Sequence, residues 1–492
     1  MADETHRQSD ESRIHGSVSV QDAETLAASI PADATLATSG FGSVGYPKAV
    51  PLALAESDRD LSLTIVSGGS VGEEIDTRLV EAGAIERRYP YQVTTEARTA
   101  INEGQIAFHD SHISRLSDEI ELGQHVDVDI AVVEAVAVGD DWFVPSLSIG
   151  PTPAYVAAAD RLIVEINDSL PRELEAIHDV YRPGRPPNRK PIPLTHPGER
   201  IGTSRIEFPS EKLVGVTRTE RRDTSYTFRE PTEADRAIAA NLLEFLADEI
   251  HGNPVFAESV QLQFGVGSLG NALMGALGDF DFGDREVNYY GEVIQDGLLD
   301  LLDDGLLDVA SATSLALSED GQERLCEDID RYAENVVLRP SDISNNPAVV
   351  NRFGVVGVNS ALEVDLYGHV NSTHLGGTHL LNGIGGSGDF NRNALVPIVA
   401  LSSTAKEGTI SRIVPMVPHV DHTEQDISVV ITEQGVADLR GLAPRERAEE
   451  LVEHCAHPEY RSDLRRYLER AERGGGHIPH DLERAFDWQS EG

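Results

Sequence analysis

Apolar residues along this chain fall into two alternating patterns. Short β-branched runs at 34–39, 61–66, 128–134 and 161–165 are separated by stretches with helical spacing, such as 47–56 and the stretch that reaches residue 84. Short apolar runs bounded by turn residues read as buried strands. Strands alternating with helices predict an α/β fold with a largely parallel sheet. The turns Gly40-Phe-Gly-Ser-Val-Gly45 and Ser67-Gly-Gly-Ser-Val-Gly72 follow the first two strands. A Pro- and Arg-rich stretch at 180–200 interrupts the alternation and is expected to be an extended surface arm. A second break, dense in charge, covers 218–233. A helix is then expected from 234 to about 251. Strands follow at 260–264, 287–290 and 396–401, with a helix at 271–277. Two helical stretches, 444–455 and 458–473, lead to Gly474-Gly-Gly476. These breaks predict a polar arm over residues 1–17, an α/β domain over 18–228 and a second over 229–492. The two domains could be copies of one fold, and no short repeat is visible.

Charge changes this picture more than composition does. The 492 residues carry 83 acids against 40 Lys and Arg, a net charge of −43. A nucleic-acid surface needs clustered cations, so nucleic acid is excluded as a partner. Self-repulsion on this scale opposes a compact chain, and salt relieves it, the Debye length being about 3 Å at 1 M. A protein of a salt-saturated cytoplasm is the expectation. Only Lys48, Lys190, Lys212 and Lys406 are lysines. In so acidic a chain each is a candidate for a specific task, Lys48 and Lys406 above all. No apolar run approaches the roughly 20 residues that span a bilayer, and residues 1–17 carry no apolar secretory core. With two cysteines, Cys326 and Cys455, no disulfide framework is expected, and a reducing cytoplasm is the default.

Several segments could carry chemistry. Gly265-Val-Gly-Ser-Leu-Gly270 lies between a strand and a helix, and its letters fit the dinucleotide pattern G-x-G-x-x-G. Alone it is equally consistent with a dinucleotide, another glycine-lined ligand or a plain turn. Glu292 stands in Tyr289-Tyr-Gly-Glu-Val-Ile-Gln-Asp-Gly297, at the end of the next strand. Ligands of open α/β sheets bind at such strand ends, so this carboxylate is placed to bind a ribose hydroxyl or to attack a carbonyl carbon. The loop Leu381-Asn-Gly-Ile-Gly-Gly-Ser-Gly-Asp-Phe390 offers backbone N–H groups for an anion or oxyanion. Asn345, in Ile343-Ser-Asn345, offers an amide donor or forms a turn. Lys406 ends Ser402-Ser-Thr-Ala-Lys406. His419, Asp421, His422 and Glu424 match no zinc spacing and are expected to hold a turn. Neither Gly40–Gly45 nor Gly385–Gly388 has the spacing of a G-x-S-x-G elbow, so a serine hydrolase is not expected from them.

Together these segments resemble the acetyl-CoA hydrolase/transferase family, the branch of class I CoA-transferases that contains succinyl-CoA:acetate CoA-transferases. The likeness runs from about Ser39 to His480. It rests on Gly45-Tyr-Pro-Lys-Ala-Val-Pro51, Ser67-Gly-Gly-Ser-Val-Gly72, Arg200-Ile-Gly-Thr203, Gly291-Glu-Val-Ile-Gln-Asp-Gly297 and Leu338-Arg-Pro340. It continues through Glu363-Val-Asp-Leu-Tyr-Gly368, Asn382-Gly-Ile-Gly-Gly-Ser-Gly-Asp-Phe390, His419-Val-Asp-His422 and Thr432-Glu-Gln-Gly435.

The resemblance implies two related open α/β domains of the class I CoA-transferase type, with the active site at their interface. It implies a Glu292 nucleophile, with Asn345 (side-chain amide) and Gly386 (backbone N–H) as oxyanion donors. Coenzyme A would be bound by the turn Gly267, Ser268, Leu269, Gly270 and Asn271, and by Asn382, Gly386 and Lys406. CoA enters as substrate, with no metal and no tightly bound cofactor. The partners implied are acyl-CoA and short-chain carboxylates, with no membrane, and a homodimer is expected. An acetyl-CoA hydrolase would use the same glutamate. An NAD-dependent dehydrogenase using Gly265–Gly270 and a non-catalytic CoA sensor are the rival classes. Two departures stand out. The family usually has Tyr-Thr-Glu before the nucleophile, whereas here Gly291 is expected to loosen the backbone beside Glu292. The segment Arg221-Arg-Asp-Thr-Ser-Tyr-Thr-Phe228 also fits the family linker poorly, which bears on acyl preference.

Overall fold

The structure is a computed structural model and describes residues 13–123, 126–224 and 229–487. The chain forms two compact units. Among the described residues the first gathers those up to 224 with 289–302 and 309–349, and the second gathers 229–288, 303–308 and 350–487. The boundary expected after residue 228 lies beside the first crossing between units. The chain then crosses back, so the segments carrying Glu292 and Asn345 belong to the first unit.

The first unit is built on a nine-stranded sheet. Its centre is Ile130–Val138, buried at every position, as a strand covered on both faces must be. One side runs in parallel through Thr35–Thr38, Leu63–Val66, Ile85–Tyr89 and Ala107–Phe108. On the other, Arg161–Asn167 and Leu213–Thr219 continue in parallel. Trp142–Pro145 pairs antiparallel with the centre. Leu36, Ile65, Ile75, Leu79, Ile130 and Ile163 meet in one apolar cluster. Apolar burial of this kind contributes about 25 cal/mol per Å² removed from water. The charged break expected at 218–233 begins later than the sequence suggests, because the Leu213–Thr219 strand runs into it.

Two expectations need correction. Residues 1–12 of the expected arm lie outside the described residues, but 13–17 are not loose. Arg13 donates to the carbonyls of Val136 and Leu170, and His15 N donates to Val138 O. Lys48 is no surface cation for a ligand. It is fully buried, 2.5 Å from Glu134 and 2.8 Å from Asp223. Asn167 also donates to Glu134, and Gly45 N to Asp223. Burial, with the neighbouring Asp223, pushes the Glu134 carboxyl above the usual carboxylate range, against the pull of Lys48. Lys212 is likewise structural. Its ammonium donates to Val156 O and Ala157 O at the end of helix Thr152–Ala158, where a cation suits the helix dipole.

The second unit repeats the parallel theme. Ser259–Phe264, Val356–Ser360, Val396–Ala400 and Val429–Thr432 pair in parallel, and Gly435–Asp438 closes antiparallel. Helix Glu233–Gly252 opens with a capping box between Thr232 and Asp235, which satisfies two donors that a helix start leaves open. Helices Pro444–His454 and Pro458–Arg473 bury Leu451, Val452, Leu464 and Tyr467 against Ile413 and Val430. Among the described residues, no helix is long and apolar enough to cross a membrane.

Candidate active site

The chain enters the first unit at Tyr289 and Tyr290, the last residues of strand Glu286–Tyr290, turns at Gly291 and Glu292, and continues into the short strand Val293–Ile294. Backbone bonds hold this turn. Gly291 N donates to Ser311 O at 3.0 Å, while Glu292 O accepts from Thr313 N at 2.9 Å and Ser314 N at 3.1 Å. Ser311 and Thr313 are fully buried, so their polar groups need protein partners. The Thr313 hydroxyl donates to Arg339 O at 2.7 Å and accepts from Gly150 N at 2.9 Å.

Arg339 itself is buried. Its guanidinium pairs with Asp179, donates to Ser311 Oγ at 2.9 Å and reaches the carbonyls of Pro197 and Glu199. Asp179 also accepts from Ile201 N and Gly202 N. The motifs Arg200-Ile-Gly-Thr203 and Leu338-Arg-Pro340 are therefore two sides of one buried ionic knot beneath the Glu292 turn.

The half-buried side chain of Glu292 meets Asn345, whose Nδ2 donates to Oε1 at 2.6 Å. Asn345 is fully buried and caps the short helix Ser341–Ser344. The Ser344 hydroxyl donates to Asn345 Oδ1 at 2.8 Å. The carboxylate, which only accepts, assigns the amide: its NH₂ faces Glu292, so its oxygen is left to accept from the Ser344 hydroxyl. Tyr290 Oη donates to Ile343 O at 2.6 Å, tying the same helix to the strand that precedes Glu292. A carboxylate held in place by backbone and amide donors can attack an electrophilic carbon. The amide N–H is then at hand for the oxyanion that forms.

The second unit contains a cleft of about 200 Å³. Its lining includes Gly265–Gly270, Arg229, Asn359, Ser402 and Arg412. Gly267 has φ +141°, a conformation that glycine tolerates and L side chains rarely adopt. Helix Ser268–Leu277 starts there, three residues before the expected start, and Gly267 caps it without a side chain. Ser268, Leu269, Gly270 and Asn271 thus form its first turn, where a helix start offers N–H donors to an anion. Arg229 donates to Ser268 Oγ at 2.7 Å and pairs with Asp235 at 3.0 Å.

Residues 8–217 match the acetyl-CoA hydrolase/transferase N-terminal domain, and residues 321–468 match the C-terminal domain of that name. The chain is 44% identical over 461 residues to the succinyl-CoA:acetate CoA-transferase of Clostridium kluyveri, covering 92% of this chain and 85% of the relative. It is 40% identical to the propanoyl-CoA:succinate CoA transferase of Escherichia coli, over 92% of this chain and 93% of the relative. It is 39% identical to an acetyl-CoA hydrolase of Candida glabrata, over 92% and 90% respectively. The chain belongs to the acetyl-CoA hydrolase/transferase family. RipA of Yersinia pestis shares the fold at a TM-score of 0.71, with 22% identity over 94% of this chain and 98% of that one. A 4-hydroxybutyrate CoA-transferase of Porphyromonas gingivalis does so at 0.60, with 20% identity over 96% and 100%. The α/β fold expected from the sequence is the fold of these structures.

Within this family member, Glu292 and Asn345 are brought together across 53 residues of sequence. The other expected residues lie in the second unit. Gly386, buried, caps the short helix Ser387–Asn393, and Asn382 precedes it on the same glycine-rich loop. Lys406 is exposed, at φ +47°, on the turn between the paired strands Thr404–Ala405 and Ile410–Ser411. His419 and Asp421 engage each other at 3.1 Å, and Asp421 also binds Thr373 and Ser372. His369 lies 2.8 Å from Glu424. Sequence reasoning missed Ser344, which orients Asn345, and it missed Arg229 and Arg412 in the cleft. Neither arginine belongs to a motif; only the fold brings them to the glycines.

Proposed function

We propose that this protein transfers CoA between a short-chain acyl-CoA and a carboxylate, with Glu292 as covalent nucleophile. The 2.6 Å bond from Asn345 to the Glu292 carboxylate carries this reading. It sets an oriented donor beside the first carboxylate of the family's Glu-Val-Ile-Gln-Asp segment. The names of the relatives from Clostridium kluyveri and Escherichia coli support transfer between acyl-CoA and a carboxylate.

In this reading a Glu292 oxygen attacks the thioester carbon. The C–S bond breaks, giving a mixed anhydride and CoA thiolate. The thiolate attacks the glutamyl carbonyl, releasing the donor's carboxylate and leaving a glutamyl-CoA thioester. An acceptor carboxylate attacks that thioester, and the thiolate returns to the new acyl group, restoring Glu292. No net proton is consumed. Asn345 donates to the successive oxyanions, and the family likeness gives the second donation to Gly386 N–H. Gly267 to Asn271, Asn382 and Lys406 are assigned to CoA. CoA carries a diphosphate, so an N–H-rich helix start suits it as well as it would suit a dinucleotide.

The test is incubation with acetyl-CoA in high salt, with and without succinate or propionate, following acyl exchange and CoA release separately. Exchange should dominate, and acyl-CoA alone should leave a borohydride-reducible adduct on Glu292. Glu292→Gln should abolish both while the fold survives; exchange surviving in that variant would remove Glu292 from the mechanism. Hydrolysis is the second reading, favoured by the relative named acetyl-CoA hydrolase. It predicts CoA release without a carboxylate acceptor. We also infer, from family likeness and charge, a homodimer that needs salt. Sedimentation in high and low potassium chloride should show it dissociating or unfolding as salt is removed.

A further inference from the structure

The residue before Glu292 was expected to loosen the backbone. In the structure a neighbouring ring packs over it. Tyr289 is 1% exposed, and its hydroxyl donates to Val293 O at 3.0 Å. The side chain therefore reaches from the residue before Tyr290 to the residue after Glu292, spanning the turn that bears the carboxylate. Gly291 lies beneath this bridge. A Cβ added there would stand 2.5 Å from Tyr289 Oη and 2.6 Å from Cζ, with Cε1 at 3.0 Å. These distances leave no room for a side chain unless the ring moves. The φ of Gly291 is not positive, so the demand for glycine comes from the ring and not from the backbone. Where the family usually has threonine, this chain has a glycine with a tyrosine ring packed over it.

Resting on the reading of Glu292 as nucleophile, we propose that Tyr289 and Gly291 are a matched positioning pair for that carboxylate. The turn is held on its entry side by Gly291 N to Ser311 O and in its middle by Glu292 O. Tyr289 supplies the third point, at the exit carbonyl of Val293. With all three points held, the Glu292 side chain leaves a turn of one shape and meets Asn345. With the exit free, the carboxylate samples directions away from the amide. The fault would appear in the chemical step and not in CoA binding, because neither residue belongs to the glycine-rich cleft.

The experiment compares Tyr289→Phe, Tyr289→Met, Gly291→Thr and the double variant Tyr289→Met/Gly291→Thr. Each is assayed for kcat, KM for acyl-CoA, the rate of CoA adduct formation on Glu292, and thermal melting. Tyr289→Phe removes one hydrogen bond without changing shape. It should slow adduct formation about fivefold with KM unchanged. Gly291→Thr forces the ring out and should cost about 100-fold in kcat, as small misplacements of a reacting group do. In the Tyr289→Met background, where a slim, flexible chain replaces the ring, the same Gly291→Thr change should cost less than about 10-fold, because contacting residues couple. Three results would overturn the pair: Tyr289→Phe at the wild-type rate, Gly291→Thr tolerated alone, or a double variant no better than Gly291→Thr. A wild-type protein that forms no adduct on Glu292 would sink the nucleophile reading itself. An adduct that forms equally fast in Tyr289→Phe would sink only the pair.

Discussion

At the Glu292 turn the polar groups are mostly buried and bonded to one another: Asn345 to the carboxylate, Ser344 to Asn345, Thr313 to Arg339 O, Arg339 to Asp179. At the glycine-rich cleft the polar groups on offer are backbone N–H groups at a helix start, with Gly267 in a conformation that side chains avoid. The first region is an interlocked set of side chains, and the second is a cleft lined by backbone at glycines. A site that must stabilise a transient charge gains from donors that need not reorganise, whereas a site that binds a large anion gains from backbone that can be approached closely. Substitutions in the first region should therefore act on kcat or on folding, and those in the second on KM.

The sharpest challenge to this contrast is Asn345→Ala. Loss of one oxyanion donor should lower kcat about 10²–10³-fold with KM for acyl-CoA little changed, read by steady-state kinetics. An effect mainly on KM would break the comparison. Next is Arg339→Met, which leaves Asp179 buried without its cation. Removing one partner of such a pair costs about 3–5 kcal/mol, so chemical denaturation should show a loss of that order. Gly267→Ala should raise KM for acyl-CoA about tenfold while kcat holds, because a Cβ is strained at that φ and the helix start must shift.

Acid should loosen the Glu292 side in particular. His178 is buried, with Nε2 3.0 Å from Ser146 O, and it bridges to Leu338 beside Arg339. Burial pushes its imidazole down from its usual 6.5 to about 4. Between those values the unfolded chain binds a proton that the folded chain does not, so stability rises with pH across that window. It is lost as pH falls from 6.5 towards 4. His178→Gln should flatten that part of the stability curve measured by thermal melting in high salt. The smallest effect is expected from Lys406→Gln, an exposed cation, with KM for acyl-CoA rising less than about threefold in high salt, where screening weakens the contact.

Much of the fold could be read from the chain. The apolar runs at 128–134 and 260–264 became the strands Ile130–Val138 and Ser259–Phe264, because a short apolar run in α/β context has few other ways to be buried. Helices Glu233–Gly252 and Pro458–Arg473 were equally legible from the helical spacing at 234–251 and 458–473. The strand Leu213–Thr219 was partly lost in a charged stretch, since Arg218 pairs with Asp168 at the surface and hides a pleated pattern. Lys48 was misjudged for a different reason. A lone lysine among acids looks like a ligand's cation, and only the fold shows Glu134 and Asp223 closing on it.

The sequence by itself determined the alternation of strand and helix, the glycines at the cleft, the excess of acid and the family motif around Glu292. These are local properties, set by periodicity, backbone freedom and charge. Only the tertiary structure decided that Asn345 faces Glu292, that Ser344 orients the amide, and that the Tyr289 ring occupies the space above Gly291. Such matches depend on distances between atoms of packed side chains, and no residue carries that information until the others are in place.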